Sequence, residues 1–244
     1  MHAVSVEQVN FRYAKAAEPA LSNIELKISA GDRFGLFGPN GAGKTTLISI
    51  MTGLLKPGSG SVHLFETNVS NRDAKKLFGY VPQDFAFYEE LTPVENLEFF
   101  GAWSGLDRSR IKKRTDELLS VLGLNEVRNN LLKNFSGGMK RRLNIAIGVI
   151  HEPKILFLDE PTVGVDVQTR FAIIDYLKQL NTGGATLIYT SHLLQEAQSL
   201  CNRIALIDDG KIILNDELEK LLIAHDKSGL EELFLQLTGK AYRD

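Results

Sequence analysis

The chain has 244 residues, 43% of them hydrophobic, enough to bury a large core as one big domain or two small lobes. Its 28 basic and 30 acidic residues leave a net charge of −2, which argues against a constitutive nucleic-acid binder, and the single Cys201 excludes an internal disulfide. No signal peptide is legible in residues 1–13 and no apolar run reaches the roughly 18 residues of a membrane span, so the expectation is a soluble, cytoplasmic protein that serves any membrane process through a partner.

Val9, Phe11 and Tyr13 alternate and would share one strand face, and residues 21–28 alternate again before the Ala30-Gly31-Asp32 turn. The apolar run 34–37 reads as a buried strand. It leads into Gly38-Pro39-Asn40-Gly41-Ala42-Gly43-Lys44-Thr45-Thr46 and a helical pattern at 47–51. In that strand–loop–helix setting the segment is a complete phosphate-binding loop. Its glycines let the backbone wrap around phosphates, so that successive N–H groups and a helix N-terminus face the negative charge. Asn40, Gly41, Ala42, Gly43, Lys44, Thr45 and Thr46 would hold a nucleoside triphosphate, with Lys44 reaching the β- and γ-phosphates and the Thr45 hydroxyl on Mg²⁺.

Pro57-Gly58-Ser59-Gly60 turns into a strand at 61–65, and Phe78-Gly79-Tyr80-Val81-Pro82 reads as another, ended by its proline. Gln83 beyond it would add a ligand to the metal shell. From about 84 to 150 the pattern is helical. Phe85, Phe87, Tyr88, Phe99 and Phe100 crowd its first part and suit either a core or a docking surface. Ile111, Thr115, Leu118, Leu119 and Leu122 form an apolar stripe that Gly123 stops. Ser136 then caps a helix whose first residues, Gly137 and Gly138, leave N–H groups bare: either a second anion site or an ordinary glycine-rich cap. Met139, Leu143, Ile145, Ala146 and Ile147 would point to the core, and Lys140, Arg141 and Arg142 read as a solvated helix face.

The run 155–158 ends in Asp159-Glu160. Asp159 would hold Mg²⁺ directly or through water, and Glu160 would orient and deprotonate the attacking water. The run 187–189 ends in Ser191-His192, where His192 would contact the γ-phosphate and the water. Three continuous apolar runs, each ending in site chemistry, are the pattern of a buried parallel sheet with its ligand beyond the carboxyl ends of the strands. Cys201, in the helical neighbourhood of 193–200, suits a small buried apolar role. Asp209-Gly210 makes a hairpin between 204–207 and 211–214, and short helices follow from 216.

Taken in order, Gln83, Ser136-Gly137-Gly138, Asp159-Glu160, Val163-Gly164-Val165-Asp166 and His192 resemble the glutamine loop, signature, acidic pair, Asp loop and switch histidine of ATP-binding cassette (ABC) proteins, over essentially residues 4–214. The resemblance implies an α/β fold: a P-loop NTPase core with a mostly parallel sheet and an antiparallel β subdomain at 1–83 and 148–217, an inserted helical signature subdomain at 84–147, and a short C-terminal helical tail at 218–244. It implies ATP and Mg²⁺ as cofactors, with ATP held between Lys44 of one protomer and Ser136 and Gly138 of another, in a head-to-tail homodimer or cassette heterodimer. Tyr13 matches the aromatic that stacks on adenine, the alternative being plain core beside Phe11. Met139 in Gly-Gly-Met-Lys-Arg-Arg-Leu, the stretch Pro161-Thr162-Val163-Gly164-Val165-Asp166 and the tail at 229–239 resemble the exporter branch, which works with a separately encoded multi-helix permease. Importer cassettes often carry a longer extension there. That branch implies an ATPase coupled to transport, peripheral on the inner face of the cell membrane, with no nucleic-acid partner. The alternative is a soluble ABC ATPase of nucleic-acid or ribosome metabolism. Its repair-type members insert a long coiled coil between phosphate loop and signature, its translation-type members fuse two cassettes, and this sequence shows neither. A nucleotide-binding regulator without turnover would not need both Glu160 and His192.

Overall fold

The computed structural model describes residues 1–191 and 193–238. β1 (His2–Phe11) and β2 (Leu21–Ser29) pair antiparallel, with Val4 and Val6 facing inward. A bulge around Gln8, whose φ is 49°, resets the alternation so that Val9 is buried next. The strand stops at Phe11. Tyr13 therefore does not continue the face of Val9: it lies past the strand end, half exposed, with its ring edge-on to Phe11 at 4.9 Å.

β3 (Arg33–Phe37) is apolar and buried after its first residue, and α1 (Lys44–Met51) follows the glycine loop. β4 (Ser59–Leu64) starts two residues ahead of the expected strand at 61–65. Gly60 makes this possible, since a Cβ there would lie 2.4 Å from the Glu7 carbonyl oxygen. With β5 (Thr67–Asn68) these strands form a four-stranded antiparallel sheet, order β2-β1-β4-β5.

β6 (Phe78–Val81) ends before Pro82, as a strand must when its next residue lacks an N–H. Three helices then form a layer. α2 (Pro93–Trp103) starts on a capping box between Thr92 and Glu95, α3 (Arg108–Val121) is capped by Asp107 and buries Ile111, Thr115, Leu118 and Leu119, and α4 (Gly137–Val149) is capped by Ser136. Gly123, in the left-handed region at φ 64°, ends the turn after α3 as the pattern predicts.

β7 (Ile155–Asp159), α5 (Val167–Thr182), β8 (Thr186–Thr190), α6 (Leu194–Leu200), β9 (Arg203–Asp208) and β10 (Lys211–Glu217) complete the main unit, followed by α7 (Leu218–Ala224) and α8 (Leu230–Thr238). The six-stranded sheet has the order β10-β9-β3-β8-β7-β6 and is parallel except for β10. Asp209 and Gly210 both have positive φ, 44° and 71°, the geometry of the tight hairpin expected there. Cys201 ends α6 in extended conformation; burial pushes its thiol up to about 12, which leaves it an inert small hydrophobe. Two expectations, His192 and the end of the tail at 239–244, lie outside the described residues.

The strands bury alternate residues on opposite faces. Phe34, Leu36, Phe157 and Ile188 pack with Ile48 of α1 and with Val4 and Ile24 of the antiparallel sheet. Leu156, Leu158, Leu187 and Tyr189 pack on the other face with Leu143, Ile173, Leu177 and Phe234. Each fully buried side chain of this kind contributes about 1.5–3 kcal/mol, so the two cores hold both faces of the central strands. α4 lies directly on β6. A Cβ on Gly79 would sit 1.9 Å from the Gly148 carbonyl oxygen, and only a glycine pair allows that backbone approach.

Candidate nucleotide-binding site

β3, β8 and β7 are neighbours, with Phe34 opposite Ile188 and Leu158 opposite Tyr189. Their shared direction brings loop 38–46, Thr190-Ser191 and Asp159-Glu160 to one edge of the sheet. In the loop, Gly41 and Gly43 take φ of 82° and 106°. Gly43 is the N-cap of α1 with no side-chain cap, and no acidic residue stands in the first turn. The first-turn N–H groups and the positive helix end thus face the loop's concavity without compensation, the arrangement that attracts phosphate. The hairpin after β9 buttresses the loop, with the Gly210 N–H donating to the Ala42 carbonyl at 3.1 Å.

Lys44 is 7% exposed, and its Nζ donates to the carbonyls of Gly38 (2.7 Å) and Pro39 (3.1 Å). Burial lowers its pKa, while Glu160 and Asp159 pull it back up, so the ammonium stands in the field of both carboxylates. Asn40, Gly41 and Thr45 are exposed on the loop, and Ala42 and Thr46 are buried in it. The Tyr13 hydroxyl shares a hydrogen bond with Thr46 Oγ1 at 3.1 Å. That bond ties the tyrosine to the phosphate loop and leaves its ring half exposed beside it, so the plain-core alternative is overturned.

Asp159 and Glu160 are 3% and 5% exposed. Thr190, directly opposite Asp159 in the ladder, holds both. Its hydroxyl donates to Asp159 Oδ1 at 2.7 Å and accepts from the Glu160 N–H at 3.1 Å, and its carbonyl accepts from the same N–H at 3.2 Å. Glu160 takes a left-handed φ of 51°, uncommon outside glycine, so the chain breaks its strand alternation at the acid itself. Sequence reasoning missed Thr190; the signal was its place at the end of the run that leads to Ser191-His192. Replacing it with the isosteric valine removes one hydroxyl. We expect Thr190→Val to lower turnover about tenfold or more, because the carboxylate loses an orienting donor, and to lower stability by about 1–3 kcal/mol. Steady-state ATPase assays and thermal unfolding check both.

Glu196 is a second residue the sequence did not single out. Thr162 Oγ1 (2.7 Å) and the Tyr189 hydroxyl (3.0 Å) donate to its Oε2, and Arg170 Nε pairs with its Oε1 at 2.7 Å. Burial holds the Tyr189 hydroxyl far above its ordinary pKa, so it remains a donor throughout. The acid therefore ties α6 to α5 and to the loop that follows Glu160.

Ser136 Oγ accepts from the Met139 N–H at 3.3 Å, the expected cap. Gly138 lies against the first turn of α5, where a Cβ would meet Thr169 Oγ1 at 3.2 Å, while Gly137 is exposed. Asp166 caps α5 through the Thr169 N–H (2.9 Å) and hydroxyl (2.7 Å). This signature is not brought to the phosphate loop of its own chain. α4 sits on β6, which is three strands from β3, or about 14 Å at ordinary strand spacing.

The basic run after the signature is not a solvated face. Arg141 is buried and donates to the carbonyls of Gln83 (2.9 Å), Pro82 (3.4 Å) and Val163 (3.4 Å). Arg142 donates to the Leu122 carbonyl at 2.8 Å, and Lys140 pairs with Glu89 at 2.6 Å. Carbonyls at the ends of other elements, and the Glu89 carboxylate, took up the charges that looked free in one dimension. Gln83 itself follows β6 with its side chain exposed, next to the strand that ends in Asp159.

Bare N–H groups and a buried ammonium suit a triphosphate. The Thr45 hydroxyl, the Gln83 amide oxygen and the Asp159 carboxylate are hard oxygen donors of the kind Mg²⁺ takes. Among the described residues no three His, Cys, Asp or Glu side chains cluster to hold a metal alone. A site with one carboxylate that relies on phosphate oxygens for the rest is the usual one for Mg²⁺.

Comparison with known proteins agrees with this geometry. The family model for ABC transporters matches residues 21–163. The linearmycin resistance ATP-binding protein LnrL of Bacillus subtilis is 41% identical over 93% of this chain and 76% of its own length. The Nod factor export ATP-binding protein I of Cupriavidus metallidurans is 36% identical, covering 87% and 71%. The ABC transporter ATP-binding protein NatA of Bacillus subtilis is 32% identical, covering 92% and 93%. Among solved structures, an ATP-binding subunit of an ABC transporter superposes with a TM-score of 0.89 at 25% identity, covering 97% of this chain and 99% of that one. A dimeric ATP-binding cassette in a post-hydrolysis state, bound to ADP and Pi, gives 0.81 at 28% identity, covering 88% and 98%.

Proposed function

Because the chain belongs to the ATP-binding subunits of the ABC transporter family, we propose that it binds and hydrolyses MgATP at the composite sites of a head-to-tail dimer and so drives a separate membrane permease in an exporter. The observation that carries this reading is the separation within one chain of a complete phosphate loop, after β3, from a complete signature, at the start of the helix that packs on β6 at the sheet's far edge. Two chains meeting head to tail supply each loop with the other's signature. Relatives whose names specify export or drug resistance support the direction.

In this reading Lys44 and the N–H groups of Asn40, Gly41, Ala42, Gly43, Lys44, Thr45 and Thr46 hold the phosphates, and Tyr13 stacks on the adenine. Thr45, Gln83 and Asp159 would hold Mg²⁺, which when bound would supply charge neutralisation to the triphosphate. Glu160, fixed by Thr190, orients the attacking water and takes its proton, and His192 contacts the γ-phosphate. Ser136, Gly137 and Gly138 of the second protomer close over that phosphate. The units that move against each other are the core at 1–83 and 148–217 and the helical subdomain at 84–147, and the tail at 218–244 is a third unit. The second protomer is another copy of this chain or a related cassette. No helix among the described residues is long and apolar enough to cross a membrane, so attachment to the inner face of the cell membrane comes through the permease. The nucleic-acid alternative gains nothing from the structure: α2 and α3, not a long coiled coil, lie between β6 and α4.

The helical subdomain offers the docking surface. Phe87 packs against the core, whereas Tyr88, Phe99 and Trp103 form an exposed ladder, with rings 5.1 and 6.4 Å apart and Trp103 81% exposed. The double change Phe99→Ser with Trp103→Glu should release the chain from permease-containing membranes and stop export, with ATPase activity of the isolated chain kept within about twofold. Retained export would place the docking surface elsewhere.

A further inference from the structure

We propose that Arg141 is a positioning residue that clamps the signature helix to the glutamine loop and the Asp loop of its own chain, so that the face offered to one composite site moves with the metal side of the other. The inference rests on the head-to-tail reading.

α4 carries Ser136-Gly137-Gly138 at its start and Arg141 one turn later, and the Gly79–Gly148 approach fixes the helix on β6. From there the guanidinium fork spans two loops. Nη1 donates to Gln83 O at 2.9 Å and Pro82 O at 3.4 Å, and Nη2 donates to Val163 O at 3.4 Å. Its plane lies over Phe85, with Cζ 4.8 Å from the ring centroid. Asn144 repeats the grip further along the helix, donating to Pro82 O at 3.1 Å and accepting from the Ala86 N–H at 3.4 Å. The loop carrying Val163 is held from its other side by Glu196 through Thr162. The loop with the metal-side glutamine, the loop between Glu160 and Asp166, and the signature therefore share one arginine.

A packing role alone would not select this residue. Arg141 is 4% exposed, makes no ion pair among the described residues, and keeps a buried Nε without a partner. Burial without a carboxylate partner lowers its pKa, and only the more distant Asp84 and Glu160 act in the other direction. A buried cation of this kind costs stability that an apolar side chain of similar volume would not. What methionine lacks is the rigid fork that reaches two loops at once, and lysine, a single flexible point of charge, lacks it too.

Arg141→Met and Arg141→Lys test the clamp in the full chain. Methionine fills the volume, and lysine keeps a charge at the site, so one of the two folds whatever the charge does for packing. Hydrogen exchange of the nucleotide-free chain should show peptides covering 82–87 and 161–166 exchanging faster together, with those covering β6 and β7 unchanged. In ATPase assays kcat should fall about tenfold or more, with the MgATP KM within about twofold, as expected for lost positioning rather than lost binding. The Hill coefficient for ATP should fall toward one. Faster exchange in only one loop, or in neither, overturns the clamp; so does joint loosening with kcat and Hill coefficient unchanged. ATP-driven dimerisation of Glu160→Gln is the separate control. If that chain stays monomeric the head-to-tail reading fails, and the two-loop exchange result alone decides whether Arg141 clamps its own chain.

Discussion

Glu160→Gln is expected to abolish steady-state ATP hydrolysis, by about two to four orders of magnitude, the range a general base contributes. MgATP affinity should stay within a few-fold. The substitution keeps the volume at a buried position, and the backbone contacts of residue 160 with Thr190 do not involve the side chain. What changes is the capacity to take a proton. With hydrolysis stopped and binding intact, the ATP-bound dimer should accumulate, and size-exclusion chromatography in MgATP should move the variant from monomer to dimer mass. Unchanged turnover would remove Glu160 from the role of base. A persistent monomer with bound nucleotide would remove the composite site instead, so the two parts of the mechanism fail separately.

Where a residue's role depends on the pattern of its own segment, the sequence was a sufficient guide. The runs ending at Phe37, Leu158 and Tyr189 are apolar on every residue because both faces of a central parallel strand are covered, and they became adjacent strands β3, β7 and β8. The phosphate loop was equally legible, since each glycine answers a local backbone demand. Other roles come from partners distant in sequence. Thr190 is an ordinary strand threonine until the ladder sets it opposite Asp159. Arg141 sits in a basic run that looks solvated, and only the folded chain brings carbonyls from residues 82, 83 and 163 around it. Tyr13 fitted the alternation of Val9 and Phe11, yet the strand stops at Phe11 and its hydroxyl reaches Thr46 from the connection beyond. Alternation reports burial along one element. It carries no record of a bulge or of an acceptor supplied from across the sheet.

The contrasting expectation is Lys44→Met, which should lose binding as well as turnover. In the free protein the ammonium is desolvated and satisfied by the Gly38 and Pro39 carbonyls, so it exchanges those two neutral acceptors for phosphate oxygens when nucleotide enters. A hydrogen bond to a charged group contributes about 1.5–3 kcal/mol, so MgATP affinity should fall about 10- to 100-fold on its loss. Turnover should fall further, because charge on the transferring phosphoryl group grows along the reaction and the lysine answers it. Stability of the nucleotide-free chain should change little: methionine leaves two loop carbonyls without a donor but also removes a buried cation. Proton linkage gives an independent check. Since burial lowers the pKa of Lys44, the wild-type ammonium is lost at lower pH than an ordinary lysine's, and MgATP affinity should weaken as pH rises through that lowered value. Lys44→Met has no such group and should lack that loss. Fluorescent-nucleotide titrations of both proteins across alkaline pH measure the difference. Parallel curves for the two would mean that the cation at the loop does not hold the phosphates, and that the helix end and loop N–H groups bind them unaided.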